Sequence, residues 1–122
     1  AAKAGLGFGE ALVRGVCCNI LVCIAVWMAA AAQTPGGKIG ALYAPIMVFV
    51  LCGFEHCVAN MYYLPAGIFA AARYGIPAEG LTWGAALGRN LLPVTLGNML
   101  GGFAVAAAYW AAYLRERVKQ PA

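Results

Sequence analysis

Four stretches of this 122-residue chain carry no charged side chain: residues 15–37, 39–54, 57–72 and 90–114. Apolar runs of that length have few places to go. The first, which opens Gly15-Val16-Cys17-Cys18 and reaches four alanines at 29–32, would measure about 34 Å as a helix, enough to cross a bilayer core of about 30 Å. Residues 90–114 give a second crossing, with Pro93 in the first turn, where proline is tolerated. Trp27, Tyr109, Trp110 and Tyr113 fall near span ends, where amphipathic rings favour the interface. Composition agrees. The chain is 64% hydrophobic and 10% charged, against about half apolar and roughly a quarter charged for an ordinary globular domain. So short a chain cannot bury that much apolar surface in a core of its own, so the surplus faces lipid or other subunits. The net charge of +4 is spread thinly, which argues against nucleic-acid binding and against disorder.

The middle of the chain is the odd part. From Ile39 to Ala72 it would be about 51 Å long as one helix, too long for one straightforward crossing. Pro65 lacks an amide hydrogen and Gly67 costs backbone entropy. The segment Tyr62-Tyr63-Leu64-Pro65-Ala66-Gly67 is therefore expected to interrupt the helix. Non-helical backbone at membrane depth survives only inside protein or beside water. The expected architecture is an all-α membrane protein with transmembrane helices at about 8–32, 39–72 and 90–114, the middle one broken near 62–67 and lining a cavity. Loops are expected at Gln33 to Gly40 and Arg73 to Arg89. Three spans put the chain ends on opposite sides. Basic residues divide evenly between those sides, and only the cluster Arg115-Glu116-Arg117-Val118-Lys119 favours a cytoplasmic C-terminus. Gly97 and Gly101, and Gly84 and Gly88, have the spacing that lets helices approach closely in lipid.

Glu55 is the most informative residue by energy, because an ionisable group mid-membrane costs about 2.5–3.5 kcal/mol on insertion scales. It needs a partner, and Lys3, Arg14 and Arg89 are the available ones. Such a pair could simply lock a bundle. His56 follows directly, and helical spacing places Phe49, Cys52 or Gly53, and Asn60 on its face. A lone histidine is usually a packing residue in a soluble core, but beside a broken membrane helix it marks a wet cavity. Asn19 and Asn98 add donors that need partners. The five cysteines lie inside apolar runs without a CxxC motif, so they read as small hydrophobes, with no metal site and no cofactor. An intramembrane enzyme is disfavoured because the chain has no serine or aspartate and one histidine. A structural membrane anchor is the rival of another class, and it has no use for buried Glu, His and Asn.

Three blocks carry a resemblance. Residues Cys18-Asn19-Ile20-Leu21-Val22-Cys23-Ile24-Ala25-Val26-Trp27-Met28, Gly53-Phe54-Glu55-His56-Cys57-Val58-Ala59-Asn60-Met61-Tyr62 and Asn90-Leu91-Leu92-Pro93-Val94-Thr95-Leu96-Gly97-Asn98 resemble the formate/nitrite transporter family, formate-type members most of all. The resemblance implies an aquaporin-like fold and a homo-pentamer in the inner (plasma) membrane, with one pore per protomer. That pore would pass formate, nitrite or hydrosulfide, often with protons. It also implies that these residues are the second of two inverted repeats, the first belonging to a longer protein. Carried over by position, His56 would be the central pore histidine, and Phe49 and Val22 would shape the apolar constrictions beside it. Lys3 would stand in the vestibule, in a polar network with Glu55, Asn19 and Asn60. A positive vestibule would gather the anion and an apolar neck would strip its water, which favours crossing as the neutral acid. Imidazole titrates near about 6.5 in water, so His56 could relay the proton or act as a pH-sensitive donor.

Overall fold

The computed structural model describes residues 2–115, and among them every regular element is helical. A short 3-10 turn, Ala2–Gly5, precedes α1 (Phe8–Ala31), α2 (Pro35–Leu51), α3 (Cys57–Tyr74) and α4 (Leu92–Tyr109). Wider π-helical turns extend α4 at both ends, over Ala85–Leu91 and Trp110–Leu114. Helix α1 and the continuous run Ala85–Leu114 are long and apolar enough to cross a membrane, and α2 is a shorter apolar helix. The basic cluster at 115–119 lies outside the described residues after Arg115.

Helices α1 and α4 form the main contact of the fold. Leu12 meets Gly97, Val16 meets Gly101, and Trp27 stacks on Tyr109 with centroids 4.0 Å apart. Contacts that advance together along both helices mean that the two run parallel. The chain between them must therefore return, and α2 starts back beside α1 until Gly53 stands level with Arg14. The close approach depends on glycine. A methyl group at Gly97 would land on the carbonyl oxygen of Leu12, and one at Gly101 on that of Val16. Gly84 and Gly88 share the spacing, yet a methyl on either would meet nothing. Spacing alone did not separate the two pairs.

Two expected boundaries move. Pro35 opens α2 instead of sitting in a loop, because Thr34 caps the helix by accepting the Gly37 amide at 3.1 Å and proline suits the first turn. The expected loop at 73–89 shrinks, since Gly75 ends α3 in the left-handed conformation and Thr82 accepts the Ala85 amide as helix resumes.

The helix break also moves, and this is the main correction. Residues Tyr62, Tyr63, Leu64, Pro65, Ala66 and Gly67 are all helical within α3. Pro65 forfeits one backbone bond there, which a membrane helix tolerates. The interruption is at Cys52–His56 instead, where Gly53 adopts φ 64°. That conformation suits glycine because it has no Cβ to clash. Phe54 N–H bonds back to Phe49 and Gly53 N–H to Val50, the pair of bonds that closes a helix in a Schellman motif. Glu55 and His56 are therefore not helical neighbours, and the helical-face argument that linked His56 to Cys52 and Gly53 does not apply.

Candidate functional site

A break in mid-chain frees backbone groups, and burial makes each unpaired one costly. At this junction neighbouring elements supply the partners. Arg14 Nη1 donates to the Gly53 carbonyl at 3.1 Å, while its other nitrogen holds Glu10 at 2.6 Å. Glu55 N–H reaches the Arg14 carbonyl at 3.4 Å. Asn98 Oδ1 accepts the Cys57 amide at 2.9 Å, and its Nδ2 donates to the carbonyls of Glu55 at 3.0 Å and Gly15 at 2.8 Å. His56 caps α3 with its own ring: Nδ1 accepts the Ala59 amide at 3.3 Å. An accepting Nδ1 leaves the proton of a neutral imidazole on Nε2.

The Glu55 carboxylate is the hub of a second knot, and the residue as a whole is only 2% exposed. Lys3 Nζ donates to Oε1 at 2.7 Å, and the carboxamides of Asn60 and Asn90 donate to Oε2 at 2.6 and 3.0 Å. Asn60 also donates to Asn90 Oδ1 at 2.8 Å, and Asn90 to the Lys3 carbonyl at 2.9 Å. Among the described residues no buried side-chain nitrogen or oxygen lacks a partner. Of the three candidate cations, Lys3 makes the ion pair. Its side chain keeps 39% exposure while that of Glu55 has 3%, so the pair is dry on one side and wet on the other.

Beside the knot lies a recess of about 330 Å³, walled by Lys3, Phe49, Phe54, His56, Asn60 and Tyr63 among others. The Phe49 and His56 rings are neighbours, with centroids 6.1 Å apart and planes 32° from parallel. The structure thus brings Lys3, Phe49, His56 and Asn60 to one cavity, with Glu55 directly behind Lys3 and Asn60. Tyr63, expected in a helix break, serves as wall from within α3. Two expected residues are placed elsewhere. Val22 is half-buried on α1 and is not part of the wall. Asn19 donates to the Asn98 carbonyl at 2.6 Å, so it meets the network through α4 and not through Lys3, Glu55 or Asn60.

Sequence reasoning misses Asn90 as a site residue and marks Asn98 only as a donor in need of a partner. A signal existed for both. Asn90, Val94, Gly97, Asn98 and Gly101 recur at helical spacing and are all buried. They form one inward stripe that mixes carboxamide with glycine.

The formate/nitrite transporter model matches residues 1–111. The chain belongs to the formate/nitrite transporter family. It is 46% identical over 112 residues to a probable formate transporter of Methanothermobacter thermautotrophicus, covering 91% of this chain and 38% of that protein. It is 39% identical over 121 residues to the formate channel FocA of Escherichia coli strain K12, covering 89% of this chain and 42% of FocA. A solved pentameric formate channel with formate bound superposes with a TM-score of 0.82 at 38% identity, over 93% of this chain and 49% of that one. The chain thus spans about two fifths of the length of the curated relatives it matches. Those relatives are described as channels and transporters, not enzymes.

Proposed function

We propose that the protein containing this chain carries small monovalent anions, formate foremost, across a plasma (inner) membrane through a pore with His56 at its centre. The observation that carries this reading is the broken helix itself, tied off by side chains so that His56 faces a recess shared with Lys3, Phe49 and Asn60. Lys3 supplies positive charge at the wet edge of the recess, where a diffusing anion gathers. Phe49 and Phe54 make the neighbouring wall apolar, so an anion moving inward loses water without equal compensation. A weak acid then crosses most easily after taking a proton, because desolvation raises its proton affinity. His56 serves this step through Nε2, as a donor to the anion or as a proton relay.

In this reading a homo-pentamer of protomers, each completed by a first inverted repeat, forms the working pore. The likeness to a solved pentameric formate channel, of which this chain covers 49%, supports it. Transport is proton-coupled at acid pH and channel-like near neutrality. Labelled formate flux into proteoliposomes, compared between wild type and His56→Asn from acid to neutral pH, tests the mechanism. The wild type gains flux as pH falls and His56→Asn loses that gain. Equal pH dependence in both removes histidine from the mechanism. Competition among formate, nitrite and hydrosulfide in the same vesicles ranks the substrates.

A further inference from the structure

We propose that Asn98 is a positioning residue for His56, holding the two peptide groups on either side of the imidazole through one carboxamide. The inference rests on the reading of His56 as the pore histidine. Asn98 makes three side-chain hydrogen bonds, all to main chain. Two of them go to the Glu55 carbonyl and the Cys57 amide, which belong to the peptide bonds directly before and after His56. The third goes to the Gly15 carbonyl on α1. One side chain therefore ties the junction to both parallel helices.

Geometry restricts what can stand at this position. Asn98 is 6% exposed and lies behind the junction, outside the wall of the recess. It does not line the recess, and the backbone it holds flanks His56, so its effect on transport is exerted through the junction and not by contact with an ion. Its neighbour Gly15 must lack a side chain, because a methyl would sit 2.8 Å from the Val94 carbonyl and 3.2 Å from Asn98 Nδ2. The clamp needs an acceptor and two donor hydrogens within one short side chain. Leucine has the volume and neither function. Aspartate keeps the acceptor but turns a carboxylate oxygen towards two carbonyl oxygens. Without the clamp, the Glu55 carbonyl and the Cys57 amide lose the one side-chain partner each has among the described residues, and the extended backbone of His56 (φ −112°, ψ 116°) is free to turn.

The test uses the intact protein in proteoliposomes, as wild type, Asn98→Leu and Asn98→Asp. Two quantities are read: the rate at which diethyl pyrocarbonate modifies His56, resolved by peptide mass spectrometry, and the pH profile of formate uptake. Assembled variants should be modified about tenfold faster, as expected when a buried hydrogen-bonded clamp is opened locally. Their uptake profiles should flatten towards that of His56→Asn. An assembled variant with the wild-type modification rate and the wild-type profile overturns the proposal. If Asn98→Leu does not assemble, Asn98→Asp is read by the same criteria. If neither assembles, Asn98 serves the fold as a whole and the positioning role fails. A wild type that carries no anion defeats the transport reading alone, because the modification rates still decide whether the clamp holds the ring.

Discussion

The seam between α1 and α4 and the junction between α2 and α3 solve opposite problems with the same few residue types. In the seam, backbone meets backbone: Gly15, Gly97 and Gly101 are places where a methyl would strike a carbonyl oxygen. Dispersion and shape set its spacing. At the junction the chain departs from regular structure for five residues, and hydrogen bonds from Arg14 and Asn98 set its form. The difference teaches that the broken segment does not hold itself. Its geometry is borrowed from the seam, because Asn98 can reach Glu55 and Cys57 only while α4 lies tight against α1.

The largest effect is therefore expected in the seam. Gly97→Ala should cost more than about 4 kcal/mol, because the clashing group is backbone and cannot rotate away. Gly84→Ala has the same spacing and open space, and should be neutral or stabilising by up to about 1 kcal/mol. Thermal unfolding of the detergent-solubilised protein measures both, and equal shifts would mean that the seam is not what sets the packing. Next comes the knot. Lys3→Met leaves the Glu55 carboxylate buried without a cation, a loss of about 3 kcal/mol. The low end of the range applies because the lysine side chain is 39% exposed. A denaturant midpoint in lipid-like detergent reads it, and a wild-type midpoint would show that the two asparagines suffice.

The smallest effect separates the true break from the expected one. Gly53→Ala forces φ 64° on a residue with a Cβ and should cost about 1–2 kcal/mol. Pro65→Ala restores an amide inside α3 and should not destabilise at all. The reverse order in thermal midpoints would return the break to residues 62–67.

The contrast also explains what the sequence disclosed. Crossing helices are legible because long runs without charge have few other places to go, although α1 starts seven residues before its charge-free run, at Phe8, and takes in Glu10 and Arg14. Glu55, His56 and Asn60 are legible because a polar group in an apolar run demands a reason, whereas Lys3 enters only as one of three cations able to pair with Glu55 and, for the vestibule, through the family resemblance. The break was misplaced because proline is a louder local signal than glycine. Pro65 costs one hydrogen bond wherever it stands, whereas Gly53 becomes a stopping point only once Arg14 and Asn98 satisfy the groups it frees. That information is tertiary. The helical spacing places Asn90 on the inward stripe of its helix, but its role there is tertiary, since nothing in its local context shows that Lys3 and Glu55 converge on it from 87 and 35 residues away.

Lys3 is fastened at both ends: its carbonyl is gripped by Asn90 and its ammonium by Glu55. A surface lysine sweeps a wide arc and gives up rotamer freedom, up to about 2 kcal/mol, when it engages a solute. Here that entropy is already spent in the resting protein. The charge is a fixed post and not a tether, so in the proposed pore a solute would have to come to it, and admission would depend on where the post stands more than on how strongly it attracts.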